Sequence, residues 1–339
     1  MNEATQEGMP PHIAILETAS GGWRAQALYV AAKLGIADLV QDEPKTAEEL
    51  ASATGTHANS LFRVLRALAS MGIFTEQDGR FALTPLAEPL RSNVPGSMRA
   101  MAIMLGEEHQ RAWGNILHSV RTGETAFDHV YGMHCFEYLE QNPESGATFN
   151  DAMTALSSQT HVAVVSNYDF SGIETLVDVG GGHGTLLSLI LKANPQLRGK
   201  LFDLPHVVNG APRVLEAHGV TDRCEVSSGD FFKEVPAGDA YILSHIIHDW
   251  VDERSIQILS SCRRAAQGNA RLLLVEMVIP EGNDPFWGKW LDLNMLMMTP
   301  GGRERTEQQY RDLLSAAGWE MQRIVPTQGL VSVVESYAK

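Results

Sequence analysis

The stretch VDVGGGHGTLLSLI, from Val177 to Ile190, decides the fold of this 339-residue chain. An apolar run ends at Asp178, four glycines follow between positions 180 and 184, and a second apolar run begins at Thr185. This order predicts a strand, a tight turn and a helix, the place where an open α/β sheet receives a nucleotide-like ligand. Glycine has no Cβ, so the backbone of such a turn can approach a ligand closely.

The spacing of the glycines discriminates among nucleotide ligands. A dinucleotide fingerprint, G-x-G-x-x-G/A, needs glycine or alanine where Thr185 stands, whereas this chain reads G-x-G-x-G through Gly180, Gly182 and Gly184. No Lys-Ser/Thr pair follows, so a P-loop is not predicted. Asp178 disfavours a pyrophosphate and favours a cation. S-adenosylmethionine (SAM) carries a sulfonium and an ammonium group without phosphate, so the loop predicts a SAM site.

Strands and helices alternate from residue 169 onward. The predicted strands are Thr175–Val179, Lys200–Asp203, Cys224–Ser227, Ala240–Ser244, Arg271–Met277, Glu320–Val325 and Leu330–Ser336. Helices separate the earlier strands, and the last two lie close enough in sequence to form an antiparallel pair. The pattern predicts a doubly wound, Rossmann-like α/β sheet of about seven strands.

The first third of the chain has a winged-helix pattern. In order, it shows a helical run from Ile13 to Leu34, a capping box at Thr46 and Glu49, a helix from His57 to Leu68, and a hairpin from Phe74 to Leu83 around Asp78-Gly79. The second helix offers only Arg63 and Arg66 as cations. We therefore interpret this region as a scaffold that buries apolar helices, against a second subunit if one is present, rather than as a DNA-binding domain.

Residues 91–97 resemble a linker, and residues 98–168 are again helical and rich in Met and aromatic side chains. The predicted domains are thus 1–97, 98–168 and 169–339. Most of these side chains fit an ordinary core. A Met-rich wall also adapts to a flat organic ligand, which keeps Trp113, Phe149 and Met153 as candidate substrate contacts.

Composition excludes several classes of protein. Lys and Arg number 26 and Asp and Glu 41, which gives a net charge of −15 and argues against a nucleic-acid surface. No apolar run approaches the ~18 residues of a membrane span. The start, MNEATQEGMPPH, lacks the features of a signal peptide. Three cysteines without metal or redox spacing, Cys135, Cys224 and Cys262, predict reduced thiols in a cytoplasmic protein.

Two further strand ends supply partners for a nucleoside. Asp203 follows Gly180 by 23 residues, close to the ~20 at which an acid accepts from ribose hydroxyls. Asp230 and Phe231 follow the third predicted strand. An acid can accept from the exocyclic amine of adenine, and an aromatic ring can cover the base. These positions predict the nucleoside end of the SAM site.

A histidine follows the fourth predicted strand, in SHIIHDW from Ser244 to Trp250. The carboxyl ends of parallel strands carry the site in such folds, and His248 lies just past that end. Methyl transfer to a phenol of pKa ~10 requires removal of its proton, and a histidine of pKa ~6.5 can accept it. We therefore predict His248 as a general base.

A base of this kind needs an orienting acid on its other nitrogen. Glu276, at the end of an apolar strand, and Glu304, in GGRERT, are both candidates. A metal site built from His245, His248 and Asp249 is a weaker interpretation because no further ligand cluster is evident, and no metal is predicted.

Together these motifs resemble those of SAM-dependent small-molecule O-methyltransferases of the caffeate and hydroxyindole type. They are most similar to the bacterial relatives that methylate phenazine, anthracycline and other aromatic hydroxyls. In family order the chain shows DVGGGHG, FDLPHV, GDFF, HIIHDW, VEMVIP, DLNMLMM and GGRERT, and the resemblance covers nearly its whole length. Plant members have Lys where Ser244 stands, so a cofactor contact there lacks its charge.

The resemblance implies a homodimer whose helical N-terminal domain contributes to the partner's substrate pocket. It implies that Gly180, Asp203, Asp230 and Phe231 hold SAM. His248 is the implied base, with Glu276 and Glu304 beside it. The substrate positions implied by the same resemblance are Asp249, Asn294 and Met295.

The predicted reaction is methyl transfer from SAM to a hydroxyl of an aromatic, polycyclic secondary metabolite, which yields a methyl ether and S-adenosylhomocysteine. Phenazine and polyketide acceptors both remain open. Two alternatives stand beside this prediction. One is a SAM-binding enzyme of the same fold with other chemistry, such as a hydroxylase-like relative, and the other is a winged-helix regulator that senses SAM.

Overall fold

A computed structural model describes residues 9–339, apart from the side chain of Gln159, and the chain forms two compact units. The first contains Met1–Gly114 and Phe136–Leu156, and the second contains Asn115–Cys135 and Ser157–Lys339. The acidic start of the chain, residues 1–8, lies outside the described residues. The predicted domain boundaries at residues 97 and 168 stay a prediction.

The secondary structure is given in chain order. The helices are α1 (Pro11–Ala19), α2 (Gly21–Lys33), α3 (Ile36–Leu39), α4 (Ala47–Thr54), α5 (Ala58–Ala69), α6 (Arg99–Gly106), α7 (Glu108–Trp113), α8 (Ile116–Thr122), α9 (Ala126–Tyr131), α10 (Cys135–Gln141), α11 (Pro143–Asn167), α12 (Thr185–Ala193), α13 (Pro205–Val208), α14 (Ala211–His218), α15 (Asp252–Ala265), α16 (Gly288–Met298) and α17 (Glu307–Ala316). The strands are β1 (Lys45–Thr46), β2 (Phe74–Gln77), β3 (Arg80–Leu83), β4 (Thr175–Val179), β5 (Arg198–Asp203), β6 (Cys224–Ser228), β7 (Gly238–Ser244), β8 (Ala266–Glu276), β9 (Val278–Ile279), β10 (Arg305–Thr306), β11 (Trp319–Pro326) and β12 (Ser332–Ala338). Within residues 9–339, no helix has both the length and the apolar character that a bilayer span requires.

The first unit contains the predicted helix, turn, helix and hairpin. The capping box is present at α4, where the Glu49 N–H donates to the Thr46 hydroxyl at 3.2 Å and the Thr46 N–H donates to the Glu49 carboxylate at 2.7 Å. The hairpin turns at Asp78 and Gly79, whose φ values of 51° and 74° are those of a type I′ turn. Strand β1 completes a small sheet of order β1-β3-β2.

The helical run from Ile13 to Leu34 is not continuous. It is divided at Ser20, which separates α1 from α2 and has φ −87° and ψ 3°. Ser20 precedes Gly21 and Gly22, and these are poor helix formers in an interior position.

The second unit is built on a seven-stranded sheet of order β11-β12-β8-β7-β4-β5-β6. Strands β6, β5, β4, β7 and β8 are parallel to one another, whereas β12 is antiparallel to both β8 and β11. The predicted doubly wound α/β sheet with an antiparallel terminal pair is therefore confirmed. Strand β8 begins five residues before the predicted start at Arg271, because Ala266 continues the pairing to Gly238 of β7 across a register shift.

Both faces of this sheet are buried. In β8, Leu273 and Val275 pack in the cluster that contains residues of α12, while Leu272 and Leu274 pack in the cluster with residues of α15 and α17. All four side chains are fully buried. A strand that is covered on both faces reads as a continuous apolar run, so the acid at its end, Glu276, is conspicuous.

Candidate active site

The parallel strands bring their carboxyl ends to one edge of the sheet, and the predicted site residues that end these strands lie there. Strand β4 leads into the glycine loop, β5 ends at Asp203, β7 ends at Ser244 and β8 ends at Glu276. Loops at this edge form the ligand crevice of open α/β sheets. The glycine loop and the residues that end these strands are therefore close together in the second unit.

The glycine loop leaves room only for glycine at two of its positions. A Cβ on Gly180 would lie 2.6 Å from Ile246 Cδ1, and one on Gly181 would lie 2.5 Å from the carboxyl carbon of Asp178. Gly180 also has φ +72°, which side chains disfavour. By contrast, a Cβ on Gly182 would meet nothing within 4 Å. The loop therefore packs closely on the sheet side and is open at Gly182.

Two carboxylates lie against this loop. Asp178 is 1% exposed, and its Oδ2 has no hydrogen-bond partner within the described part of the chain. Burial, together with the charge of Asp203, raises the pKa of Asp178 to about 7. The Asp203 carboxylate accepts from the Gly182 N–H at 2.8 Å and the Leu204 N–H at 2.7 Å, one on each oxygen. Each of its oxygens keeps a lone pair for a further donor.

Asp230 and Phe231, although adjacent in the chain, make different contacts. The Asp230 carboxylate accepts from the Phe232 N–H at 3.0 Å and lies 3.4 Å from the Lys233 ammonium. Phe231 Cε1 is 3.7 Å from the position of a Cβ on Gly180, so its ring lies beside the loop. The orphaned Asp178 oxygen, the glycine cradle and this ring fit a cationic nucleoside cofactor such as SAM.

His248 lies at the centre of a carboxylate cluster. It belongs to the 3₁₀ turn Ile247–Asp249 and is 8% exposed. Its Nδ1 is 2.8 Å from Glu304 Oε1 and 3.8 Å from Glu276 Oε2, while its Nε2 is 3.6 Å from Asp249 Oδ1. Both acids that the sequence left as alternatives are therefore at the ring, and Glu304 makes the hydrogen bond.

The electrostatics of the cluster favour a proton on His248. Burial lowers the pKa of this histidine, but the negative charges of Glu276, Asp249 and Glu304 outweigh burial and raise it to about 10. Burial also raises the pKa of Glu276, to about 7, because its side chain is fully enclosed. A positive imidazolium among carboxylates is thus strongly stabilised, which is the property of an effective proton acceptor.

Short-range pairing holds the two glutamates in place. Glu276 Oε1 accepts from the Ile247 N–H at 2.9 Å, and the Glu304 N–H donates to Asp292 at 2.9 Å. Strands β9 and β10 form a parallel pair with Arg305 opposite Val278. This two-residue pairing was not predicted, and it fixes the segment after Glu276 beside the segment that carries Glu304.

Arg305 is a functional candidate that the sequence reasoning missed. Its side chain is fully buried and donates to the Ile247 carbonyl at 2.9 Å and the Trp250 carbonyl at 2.8 Å. It also donates to Asp252 at 2.8 Å. The guanidinium therefore donates hydrogen bonds to backbone carbonyls on both sides of His248. The only sequence signal was its place beside Glu304 in GGRERT, where Arg reads as a solvated residue.

Ser244 and His245 bring unpartnered polar atoms to the same edge. Ser244 Oγ and His245 Nε2 are buried and have no hydrogen-bond partner among residues 9–339. His245 has φ +54°, and its ring centroid is 5.4 Å from that of His248. Burial, with smaller contributions from His248 and His161, lowers the pKa of His245 to about 3, so this imidazole is neutral.

The predicted substrate positions fall in both units and are described within each. In the second unit, Asn294 and Met295 lie on α16, where Met295 is buried, and Asp249 neighbours His248, with a pKa raised chiefly by burial. In the first unit, the half-buried candidates are Trp113, Phe149 and Met153.

Replacing Glu304 with Gln tests the electrostatics of the cluster. With His248 as the predicted general base, only its unprotonated imidazole accepts a proton, so we expect the rate to rise with pH as His248 loses its proton. Without the Glu304 charge the pKa of His248 falls, and we expect the rising limb of kcat/KM to move to lower pH, with kcat lower by about tenfold or more. A pH–rate profile measures both. Glu307→Gln, at an exposed acid paired with Arg311, should leave the profile unchanged; an unmoved limb in Glu304→Gln would contradict the assignment.

Comparisons with known proteins identify the family of this chain. Residues 113–320 match the model of an O-methyltransferase domain, and residues 16–93 match that of an O-methyltransferase dimerisation domain. The chain is 52% identical to phenazine O-methyltransferase PhzM of Lysobacter antibioticus, over 99% of each protein. It is similar to the crystal structure of LaPhzM, with a TM-score of 0.91, 51% identity and coverage of 98% of this chain and 100% of that one.

A second solved structure carries ligands. The O-methyltransferase NcsB1 from neocarzinostatin biosynthesis, in complex with SAM and 2-hydroxy-5-methyl naphthoic acid, has a TM-score of 0.81 and 34% identity and covers 93% of this chain and 96% of that one. The matched O-methyltransferase model spans more than half of the chain, and the second unit has the α/β sheet that the resemblance implied. The chain belongs to the O-methyltransferase family and is a SAM-dependent O-methyltransferase.

Proposed function

We propose that this enzyme methylates a hydroxyl group of a polycyclic aromatic metabolite, with a hydroxyphenazine as its acceptor and His248 as its general base. The observation that carries the proposal is the 2.8 Å contact between His248 Nδ1 and Glu304 within a cluster of three carboxylates. The similarity to a phenazine O-methyltransferase supports the choice of acceptor.

The cofactor end of the site follows from the loop and its acids. When bound, SAM supplies an electrophilic methyl group on a positively charged sulfur. Asp203 accepts from the ribose hydroxyls, and Asp230 accepts from the adenine amine while Phe231 covers the ring. Gly180 and Gly182 let the backbone approach, and the Ser244 hydroxyl, which is neutral, adds a polar contact.

The tautomer of His248 decides which of its ring nitrogens can accept a proton. A proton on Nδ1 donated to Glu304 leaves the Nε2 lone pair of His248 free to accept the proton of the acceptor hydroxyl. The carboxylates of Glu276 and Asp249 then stabilise the imidazolium. Because the pKa of His248 is raised to about 10, it approaches the ~10 of a phenol, so the proton transfer is nearly balanced in energy.

The remaining candidates are proposed acceptor contacts within each unit. In the second unit these are Asp249, Asn294 and Met295, and in the first unit they are Trp113, Phe149 and Met153. We propose a cytoplasmic homodimer that acts on a small molecule, without a metal as catalytic cofactor and without nucleic acid or membrane as partner. The free thiols of all three cysteines agree with a reducing compartment.

Asp178 makes cofactor binding depend on pH. Its pKa is raised to about 7, and only its ionised form attracts the positive charges of SAM. We therefore expect SAM to bind more tightly as pH rises from about 6 to about 8. Calorimetric titration measures the dissociation constant. The profile should flatten in Asp178→Asn and be shallower for S-adenosylhomocysteine, which lacks the sulfonium; an equally steep profile in the variant would contradict this role.

A panel of acceptors tests the proposed substrate. The purified protein is incubated with SAM and hydroxyphenazines, hydroxynaphthoates or simple phenols, and the products are measured by mass. We expect a hydroxyphenazine to gain one CH₂ as a methyl ether with the highest kcat/KM. Preference for a hydroxynaphthoate would move the proposal to a polyketide acceptor. A hydroxylated or N-methylated product, or none, would contradict it.

A further inference from the structure

Three side chains, one of them the proposed base, bring possible metal-ligand atoms close together. A ring nitrogen of His245, a ring nitrogen of His248 and a carboxylate oxygen of Glu276 all lie within 4.8 Å of one another. The sequence alone suggests a histidine pair with Asp249 and shows no further ligand cluster. The structure supplies that ligand as Glu276, which comes from the neighbouring strand β8 and not from the HDW motif.

Two of these residues carry buried atoms without a partner. Glu276 is 0% exposed, and its Oε2 makes no hydrogen bond to the described residues; the same holds for His245 Nε2. Leaving a buried polar atom unsatisfied costs about 1–3 kcal/mol. In the tautomer that carries its proton on Nδ1, His245 offers the Nε2 lone pair, so both atoms can then donate an electron pair to a cation.

The backbone presents the His245 ring to this space. His245 has φ +54°, a left-handed conformation that costs a residue with a side chain energy, and its N–H donates to the Val275 carbonyl at 3.1 Å. Val275 directly precedes Glu276 in the chain. The same strand end thus fixes two of the three donor groups.

We propose that His245, His248 and Glu276 form an inhibitory binding site for a zinc-class divalent cation. Zinc takes histidine nitrogen at about 2.0–2.1 Å and carboxylate oxygen at about 2.0–2.2 Å, so the three donor atoms, which lie within 4.8 Å of one another, draw closer together to share it. The carboxylates of Glu304 and Asp249 add negative charge that favours a cation. Bound metal occupies an imidazole lone pair of His248 and withdraws the base from catalysis.

Zinc titration of the substrate-free enzyme tests the site. Calorimetry with ZnCl₂ should show one strong site per chain, whereas MgCl₂, which prefers all-oxygen ligands, should show none of comparable strength. In His245→Asn the affinity should fall by at least about tenfold. Asn removes the imidazole yet accepts the left-handed backbone, and His245→Gln serves as a second variant. The matched control is His134→Asn, at an exposed histidine paired with Asp128 at 2.6 Å, which should leave the affinity unchanged.

The inhibition follows in a second assay. Zinc should stop methyl transfer by the unmodified enzyme, and a chelator should restore it. His245→Asn should need at least about tenfold more zinc for half-inhibition. Unchanged zinc affinity in both His245 variants, or its loss in His134→Asn, would overturn the site. The inhibition assay rests on the proposed function, whereas the zinc titration needs no acceptor. Failure of the zinc site and failure of the proposed function are therefore distinguishable.

Discussion

Alanine in place of His248 is expected to lower kcat with a hydroxyphenazine by about 10²–10⁴-fold, the contribution of a positioned general base. The acceptor hydroxyl then loses the group that takes its proton, while the glycine loop, Asp203 and Asp230 are untouched. Single-turnover measurements of the methyl ether check the rate, and calorimetry with SAM should give an unchanged dissociation constant.

The control for this variant is His134→Ala, because His134 is exposed and lies on the segment that follows α9. Its rate should match that of the unmodified enzyme. If His248→Ala retained the full rate with SAM bound, the carboxylate cluster would have a structural role and the base would have to be sought elsewhere.

The second large effect is expected for Arg305→Met. The variant removes the charged, buried donor from the carbonyls of Ile247 and Trp250, which then keep the longer contacts of the Ser255 hydroxyl, so we expect the free energy of unfolding to fall by about 3 kcal/mol. The turn that carries His248 also loses its anchor, so kcat should fall while the dissociation constant for SAM changes little. Chemical denaturation at fixed protein concentration and steady-state kinetics measure the two effects.

Arg303→Met is the matched control. Arg303 pairs with the same Asp252, but its side chain is 42% exposed. An exposed ion pair contributes about 0–1 kcal/mol, so this variant should stay close to the unmodified enzyme in stability and kcat. Equal losses of stability and kcat in the two variants would show that pairing with Asp252 causes both effects, rather than the hydrogen bonds from Arg305 to the turn.

The local features of this chain were readable from sequence because each depends on near neighbours. The glycine loop, the capping box at Thr46 and the turn at Asp78-Gly79 all follow from backbone preferences over a few residues. The seven strands followed from apolar runs with turn residues between them, and their ends shifted by only a few positions. The division of the first helical run at Ser20 is the exception, since its apolar spacing continues across the break.

The candidate site was only partly readable. His248, Glu276 and Glu304 stood out because acids and histidines at strand ends are costly to bury without a partner. Which glutamate bonds the imidazole depends on the pairing of β9 with β10, which is too short to leave a periodic pattern. Arg305 was missed for a related reason, because its role comes from burial, which does not alter residue spacing. His245 was considered only together with Asp249, because its left-handed backbone and its closeness to Glu276 leave no signal in residue spacing.

Proton removal by His248 makes the defect of His248→Ala depend on the acidity of the acceptor hydroxyl. A series of hydroxylated aromatics of falling hydroxyl pKa is methylated by both enzymes at one pH. An acceptor that is already ionised needs no base, so the ratio of the two rates should be largest for the weakest acid and shrink toward one for the strongest. A ratio that stays constant across the series would contradict proton removal by His248.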